Sequence, residues 1–281
     1  MQRPPLLITA SLDAGTTPLV ALRNVQERTL SHMKGLIAWL KDPGISRIVF
    51  AKNCRVQIRG EVLVEAGRKH GKELEFLQVE ASPRTALQGK GFGEGDLIRQ
   101  VLERSIILEG SNEFMKVTGK LYAPGWEKVF SGSGKGDFYE SVPLANREML
   151  RLWTRQFYLN EGGSRLMGFF KRRMRVPWGI VAATPRGWID TRIYRVNRQF
   201  YTENLREAHR RVQDALNYTL ENAFFDDLHS LSNSKTGYGI RRIRDIPIII
   251  GMSGSLSEEA ASYSEGISRE AKILAENVLR S

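Results

Sequence analysis

The chain has 281 residues, a formal net charge of +11, and 41% hydrophobic and 26% charged residues, a balance that excludes a disordered or fibrous chain and suits one large α/β domain. Its single cysteine, Cys54, excludes an internal disulfide and a multi-thiolate zinc site and points to a reducing compartment. No apolar run is long enough to span a bilayer and Met1 to Ile8 reads as the entry to a buried strand, so the expected location is the cytoplasm.

Leu6 to Ala10 is a short apolar run ending in the turn-rich Ser11 to Gly15, which suits a buried strand feeding a loop. Leu22, Val25, Met33, Leu36, Ile37 and Leu40 recur at helical spacing until Asp42-Pro43-Gly44 stops them. Ile45 to Phe50 reads as a second strand, Val56 to His70 as a second helix, and Leu74 to Val79 as a third strand before a long glycine-bearing loop. Leu97, Val101, Leu102 and Ile106 mark a third helix, and Phe114 to Gly119 a fourth strand with a polar end. These β-α steps predict an open, largely parallel sheet whose ligand site lies at the carboxyl ends of its strands.

The second half is less regular. Ser131 to Asp137 reads as a flexible surface loop, Leu144 to Tyr158 as a helix, and Ile180 to Ala183 and Trp188 to Val196 as strands. Two helical stretches follow between Gln199 and Leu228, then a strand or turn over Asp245 to Gly251. A closing helix is expected over Ser257 to Arg280, begun by the capping pattern Ser255-Leu256-Ser257-Glu258-Glu259. The expected division is an α/β half over 1–125, a second half of the same domain over 126–256, and a C-terminal helix over 257–281.

Charge is concentrated. From Ser164 to Val212 twelve lysines and arginines stand against three acids, a field that attracts phosphates on a nucleotide, a nucleic acid or an anionic membrane face. Two phosphate-loop lookalikes fail on their flanks. Gly134-Lys135 has Val129 where a Walker loop needs glycine and no Ser/Thr after the lysine, while Gly89 to Gly95 lacks the order of a dinucleotide fingerprint. The four histidines, His32, His70, His209 and His229, show no metal-binding spacing.

Polar residues do gather at strand ends: Thr9 and Asp13, Lys52 and Asn53, Lys90 with Glu94, and Lys116 to Lys120. In a parallel sheet such residues converge on one crevice, where lysines can neutralise a diphosphate and short polar side chains bond a base or ribose. Several of these pieces share a pattern: Ile8-Thr9-Ala10-Ser11 with Arg23, Ile48 to Asn53, Gly89 to Glu94, Lys116-Val117-Thr118-Gly119-Lys120, Ile189-Asp190-Thr191-Arg192, and more weakly Leu220 to Phe225. Over residues 6 to 230 this ensemble resembles bacterial glycosyltransferases of lipopolysaccharide and capsule gene clusters.

The resemblance implies a GT-A-like, Rossmann-like fold: a mostly parallel central sheet with helices on both faces, in a single domain with a helical C-terminal extension. It also implies transfer of a sugar from a nucleotide-sugar donor to a glycan or lipid-linked glycan acceptor; a further reading, compatible with this, is that the basic segment docks the chain on an anionic inner membrane face. Donor-binding residues would be Thr9, Asp13, Arg23, Lys52, Asn53, Lys90, Glu94, Thr118, Gly119 and Lys120, with Asp190 and Arg192 on the far wall of the cleft. Most GT-A enzymes hold Mn²⁺ or Mg²⁺ with an Asp-x-Asp motif, whereas the comparable strand here ends in Thr118-Gly119-Lys120. The expectation is therefore no metal-binding residues and no obligatory cofactor, a divalent metal being optional.

Each role has a plainer counterpart. Lys90 and Glu94 lie on a loop closing over the donor, or Glu94 favours the start of the next helix. Asp190 is the general base, with Glu221 second and Arg192 an acceptor contact, or Asp190 and Arg192 form an ion pair. The alternative function is a basic nucleic-acid-binding protein with Phe169, Phe170, Trp178, Trp188, Tyr194 and Tyr201 as a stacking surface, although no specific nucleic-acid motif is present.

Overall fold

Largely apolar runs form the inner strands of the sheet. In the computed structural model, which describes residues 3–13, 24–130, 135–141, 188–231, 240–243, 248–251 and 262–279, β1 (Leu6–Ala10) is buried along its whole length. It pairs in parallel with β2 (Arg47–Lys52) on one side and β4 (Glu113–Thr118) on the other. β3 (Glu73–Gln78) pairs in parallel outside β2. Beyond β4 lie β7 (Trp188–Asn197), β6 (Gly136–Ser141) and β8 (Ile240–Ile243), giving the order β3-β2-β1-β4-β7-β6-β8. β7 alone runs against the rest, being antiparallel to both β4 and β6, while β8 is parallel to β6. A short ladder joins β5 (Leu121–Tyr122) to β9 (Ile250–Gly251).

Helices cover both faces. On one side α1 (Val25–Lys41), α2 (Gly60–Lys69) and α9 (Glu265–Leu279) bury Leu36, Trp39, Leu63, Leu274 and Val278 against Ile8, Phe50 and Met115. On the other, α4 (Lys90–Arg104), α5 (Ile106–Glu109), α7 (Arg198–Asn204) and α8 (Leu220–Leu231) bury Leu97, Ile98, Val101, Leu108, Phe200 and Phe224 against Leu7, Val49 and Phe114. Alternate residues of one strand thus enter different cores, so β1, β2 and β4 are apolar over most of their length, with Thr9, Lys52, Lys116 and Thr118 as polar exceptions toward their carboxyl ends. α3 (Thr85–Gln88) and α6 (Trp126–Val129) are single turns.

The cap of α1 follows the expected chemistry, with the Asn24 side chain accepting from the Glu27 amide at 3.0 Å. The mostly parallel sheet, the helices on both faces and the C-terminal helix agree with expectation, and several local readings change. The glycine-bearing stretch before Leu97 is helical from Lys90. Gly136 and Asp137 open a strand, because their backbone pairs with Val196 and Arg195. The closing helix starts at Glu265, after non-helical Ser262 to Ser264, with the Ser264 hydroxyl near the Ile267 amide. The expected cap at 255–259, helix at 144–158 and strand at 180–183 lie outside the described residues.

Candidate functional site

Strand order reverses at β1, whose neighbours β2 and β4 are reached in opposite directions, and Thr9 and Thr118 pair where both strands end. That is the switch point at which open α/β sheets leave a crevice. A cavity of about 140 Å³ opens there, bounded by Thr9, Ala10 and Ser11 after β1, Asn53 after β2, Thr118 and Lys120 at the end of β4, and Arg28 and His32 of α1. Thr85 of α3 and Lys90, Gly93, Glu94 and Leu97 of α4 complete it.

The glycines of the 89–95 run have a packing role. A Cβ on Gly89 would lie 2.2 Å from Asp214 Oδ2, on Gly93 2.6 Å from Thr85 Cγ2, and on Gly95 2.3 Å from His209 Cβ. The missing side chains let the first turns of α4 dock tightly between α3 and the 208–220 segment, and Gly89 also takes φ +104°. Asp214, itself buried, accepts from the Gly91 amide at 3.3 Å. Burial, and then the nearby Glu221, push the Asp214 carboxyl up, against its bonds with the Gly91 and Lys90 amides and the Lys90 charge.

This docking delivers Glu94 to the strand ends. Its Oε1 accepts from Thr9 Oγ1 at 2.9 Å, Thr118 Oγ1 at 3.3 Å and Lys116 Nζ at 2.5 Å. Lys116, fully buried on β4, also donates to Thr118 Oγ1 at 3.1 Å and to the Thr191 carbonyl at 2.5 Å. Thr191 in turn donates to Glu221 Oε1 at 2.9 Å. Burial alone would raise the Glu94 carboxyl, but the Lys116 charge and the three donors hold it below its ordinary value. Glu94 is therefore an anion bound to two strands, β1 and β4, and its Oε2 makes no hydrogen bond among the described residues.

Lys120 has no such partner. It is 4% exposed and is bonded to no carboxylate among the described residues. Burial first, then the charges of Arg28 and Lys90, bring its amine down from 10.5 to about 8. Arg28 donates through Nε to the Ser11 carbonyl at 2.9 Å. Three cations thus border the cavity, and the one carboxylate lining it among the described residues, Glu94, is bonded to Lys116, a distribution that favours an anion.

Thr9, Asn53, Lys90, Glu94, Thr118 and Lys120 line this one cavity. The others fall elsewhere. Lys52 is fully buried and donates to the carbonyls of Cys54, at 3.1 Å, and Val56, which fixes the loop after β2. Asp13 acts on Arg28 from beside the cavity. Gly119 lies behind the cavity, where a Cβ would meet His32 Nδ1 at 2.6 Å and the Thr9 carbonyl at 2.9 Å. Arg23 is outside the described residues.

Asp190 and Arg192 do not line the cavity either. Asp190 Oδ2 is 2.6 Å from Arg192 Nη2, and Oδ1 accepts from the Arg192 amide at 2.9 Å. Ile189 joins the α4/α8-side core and Thr191 bonds α8, so Asp190 between them projects from the opposite face. Glu221, bonded to Thr191, is on the Glu94 side of the sheet but is not among the residues that line the cavity. Arg28, His32 and Thr85 also line the cavity, and no sequence motif marks them as site residues. The spacing of Arg28, His32 and Gly35, four then three residues apart on one helix face, was the signal available.

Among the described residues of the basic segment, several arginines are paired with acids, most of them from other elements. Arg195 pairs with Glu113 at 2.7 Å, Arg211 with Asp227 at 2.6 Å, Arg210 with Glu207 at 2.6 Å, and Arg206 with Glu103. Tyr194 and Tyr201 are buried among Phe114, Phe138 and Phe224, so neither can stack on a base. Phe169, Phe170 and Trp178 lie outside the described residues. Among those described, no cluster of carboxylates, histidines or cysteines could hold a metal, and no helix is long and apolar enough to cross a membrane.

No family model matches the chain, and no curated protein matches it in sequence. Solved structures with a similar chain path include a glucose-1-phosphate thymidylyltransferase from Bacillus anthracis, at 10% identity and TM-score 0.45, covering 99% of this chain and 97% of that one. The galactosyltransferase LgtC, in complex with donor and acceptor sugar analogs, is 8% identical with TM-score 0.47, covering 99% of this chain and 97% of that one. The glycosyltransferase GlyE of Streptococcus pneumoniae is 8% identical with TM-score 0.46, covering 98% of this chain and 63% of that one.

Proposed function

We propose that the chain is a nucleotide-sugar-dependent glycosyltransferase that moves a sugar to a hydroxyl of a surface-polysaccharide or glycolipid acceptor. The observation that carries this reading is the cationic cavity at the β1/β4 switch point, with a buried Lys120 at its base that has no carboxylate partner among the described residues. A diphosphate would add negative charge beside Lys120, Lys90 and Arg28, and in this reading Asn53, Thr85 and Glu94 Oε2 meet ribose and sugar hydroxyls.

In the transfer step the acceptor oxygen attacks the anomeric carbon and the bond from that carbon to the diphosphate oxygen breaks, the electron pair leaving with the diphosphate. The acceptor proton passes to a carboxylate. Glu221 is the better placed of the two candidates, because Asp190 is committed to Arg192 on the other face. Charge on the leaving diphosphate falls to Lys120. The end of β4 carries no carboxylate and Glu94 is bound to Lys116, so these residues do not suit a divalent cation. The acceptor enters from the 126–256 half, and the remaining basic residues meet an anionic membrane surface.

The test is a thermal-shift screen of UDP-, GDP-, TDP- and CMP-sugars and their free nucleotides, with and without chelator, followed by product analysis with the best donor. Stabilisation by a nucleotide sugar in chelator is expected. No stabilisation by any of them, with a salt-sensitive shift on generic RNA, would favour the nucleic-acid reading instead.

A further inference from the structure

His32 lines the cavity at 2% exposure, and among the described residues neither Nδ1 nor Nε2 makes a well-formed hydrogen bond, although the Ser11 and Gly119 carbonyls act on the ring. A buried imidazole whose nitrogens lack well-formed hydrogen bonds gains from a ligand that completes the bonding. Two cations border the same corner: Arg28, one helical turn before His32 on α1, and Lys120, beyond the Gly119 that packs against the ring. The cavity of about 140 Å³ is smaller than the roughly 300 Å³ or more of a site that swallows a whole cofactor. It suits one tetrahedral group, the rest of a donor lying along the open rim.

We propose that Arg28, His32 and Lys120 form a single pocket for a tetrahedral oxyanion, with the His32 imidazole as the buried hydrogen-bond donor that takes up a proton when the anion enters. The inference rests on the nucleotide-sugar reading for its biological ligand, one phosphate of the diphosphate, and on the pocket alone for its chemistry. Burial, followed by the charges of Lys120 and Arg28, holds the empty imidazole well below its ordinary value and therefore neutral, although the Ser11 and Gly119 carbonyls favour the charged ring. Across the cavity stand Lys90 and Glu94 of α4, the latter bound to Lys116, while Asp13 and Cys54 act on Arg28. An entering dianion replaces the repulsion from the two cations with attraction, so the imidazole becomes imidazolium. As the sugar–oxygen bond breaks and the leaving phosphate gains charge, a proton is already in place on His32 to face it.

Sulfate is the probe, because it is a tetrahedral dianion without nucleobase or sugar. Histidine-labelled full-length protein is titrated by NMR in sulfate and in chloride of equal ionic strength. Only four histidines need to be distinguished, and His32→Gln identifies the signal. Sulfate, unlike chloride, is expected to raise the proton affinity of His32 by about tenfold or more. His32→Gln and Lys120→Met are each expected to weaken sulfate binding by about tenfold or more. A His32 signal unmoved at saturating sulfate, absence of sulfate binding, or unchanged sulfate affinity in a folded His32→Gln protein would each overturn the proposal. If sulfate moves His32 while UDP-glucose, GDP-mannose, TDP-glucose and CMP-sialic acid all fail to bind, the pocket stands and the transferase reading falls. Nucleotide-sugar binding that leaves His32 unmoved does the opposite: the pocket falls and the transferase reading stands.

Discussion

Lys120→Met removes a buried charge at nearly constant volume, and its effects on stability and on function should be opposite in sign. An amine brought from 10.5 to about 8 is disfavoured in its charged form by about 3 kcal/mol, at 1.36 kcal/mol per pH unit. Below pH 8 the folded wild-type protein carries that full cost. Between about pH 8 and 10.5 the folded amine is neutral while the unfolded one still binds a proton, so wild-type stability rises with pH across that window. The methionine variant has no such charge. At pH 7 it should be more stable by about 1 to 3 kcal/mol, the advantage shrinking toward pH 10. Function moves the other way, with kcat/KM falling by about 2 to 4 kcal/mol through loss of a charge-assisted contact to the leaving group. Urea unfolding at pH 7 and 9.5, with donor turnover, reads both. A variant less stable than wild type at pH 7, or a stability gap independent of pH, would refute the account of Lys120 as an unpaired cation awaiting a ligand.

Glu94→Gln should cost about 3 to 5 kcal/mol of stability in chemical denaturation, because Lys116 is left buried without its anion. In the wild type the Glu94 contribution is present above the ordinary carboxylate value and is lost as pH falls through its lower folded value, so acid unfolding should sharpen there and be blunted in the variant. Glu221→Gln should lower kcat by about 10² or more with donor affinity unchanged, whereas Asp190→Asn should act mainly on stability; the reverse pattern in single-turnover kinetics would restore Asp190 as the base. Turnover should persist in excess EDTA, and loss of activity restored by Mn²⁺ would show a metal requirement. Gly119→Ala should destabilise by about 1 to 3 kcal/mol and weaken anion binding, since its Cβ meets His32 Nδ1 at 2.6 Å; unchanged sulfate affinity would separate that glycine from the pocket.

Much of the fold is written in local patterns. Buried runs such as Leu6 to Ala10, the periodicity of α1 and its stop at Asp42-Pro43-Gly44 are short-range signals, and the sheet with helices on both faces follows from their alternation. The convergence of Thr9, Asn53, Lys90, Glu94, Thr118 and Lys120 was legible for the same reason, since parallel strands point their ends at one crevice. What the sequence could not decide depends on partners distant along the chain. Glycines spaced at 89, 91, 93 and 95 look like a loop until Asp214, Thr85 and His209 are seen against them. Arg195, Arg206 and Arg211 look like part of a phosphate field until Glu113, Glu103 and Asp227 arrive from other elements to pair with them. Lys52, Lys116 and Lys120 are alike as letters. Burial makes one a clamp on loop carbonyls, one the counter-ion of Glu94, and leaves the third without a carboxylate. Charge and hydrogen bonding are satisfied in three dimensions, so only the tertiary structure determines which cation and which imidazole remain for a ligand.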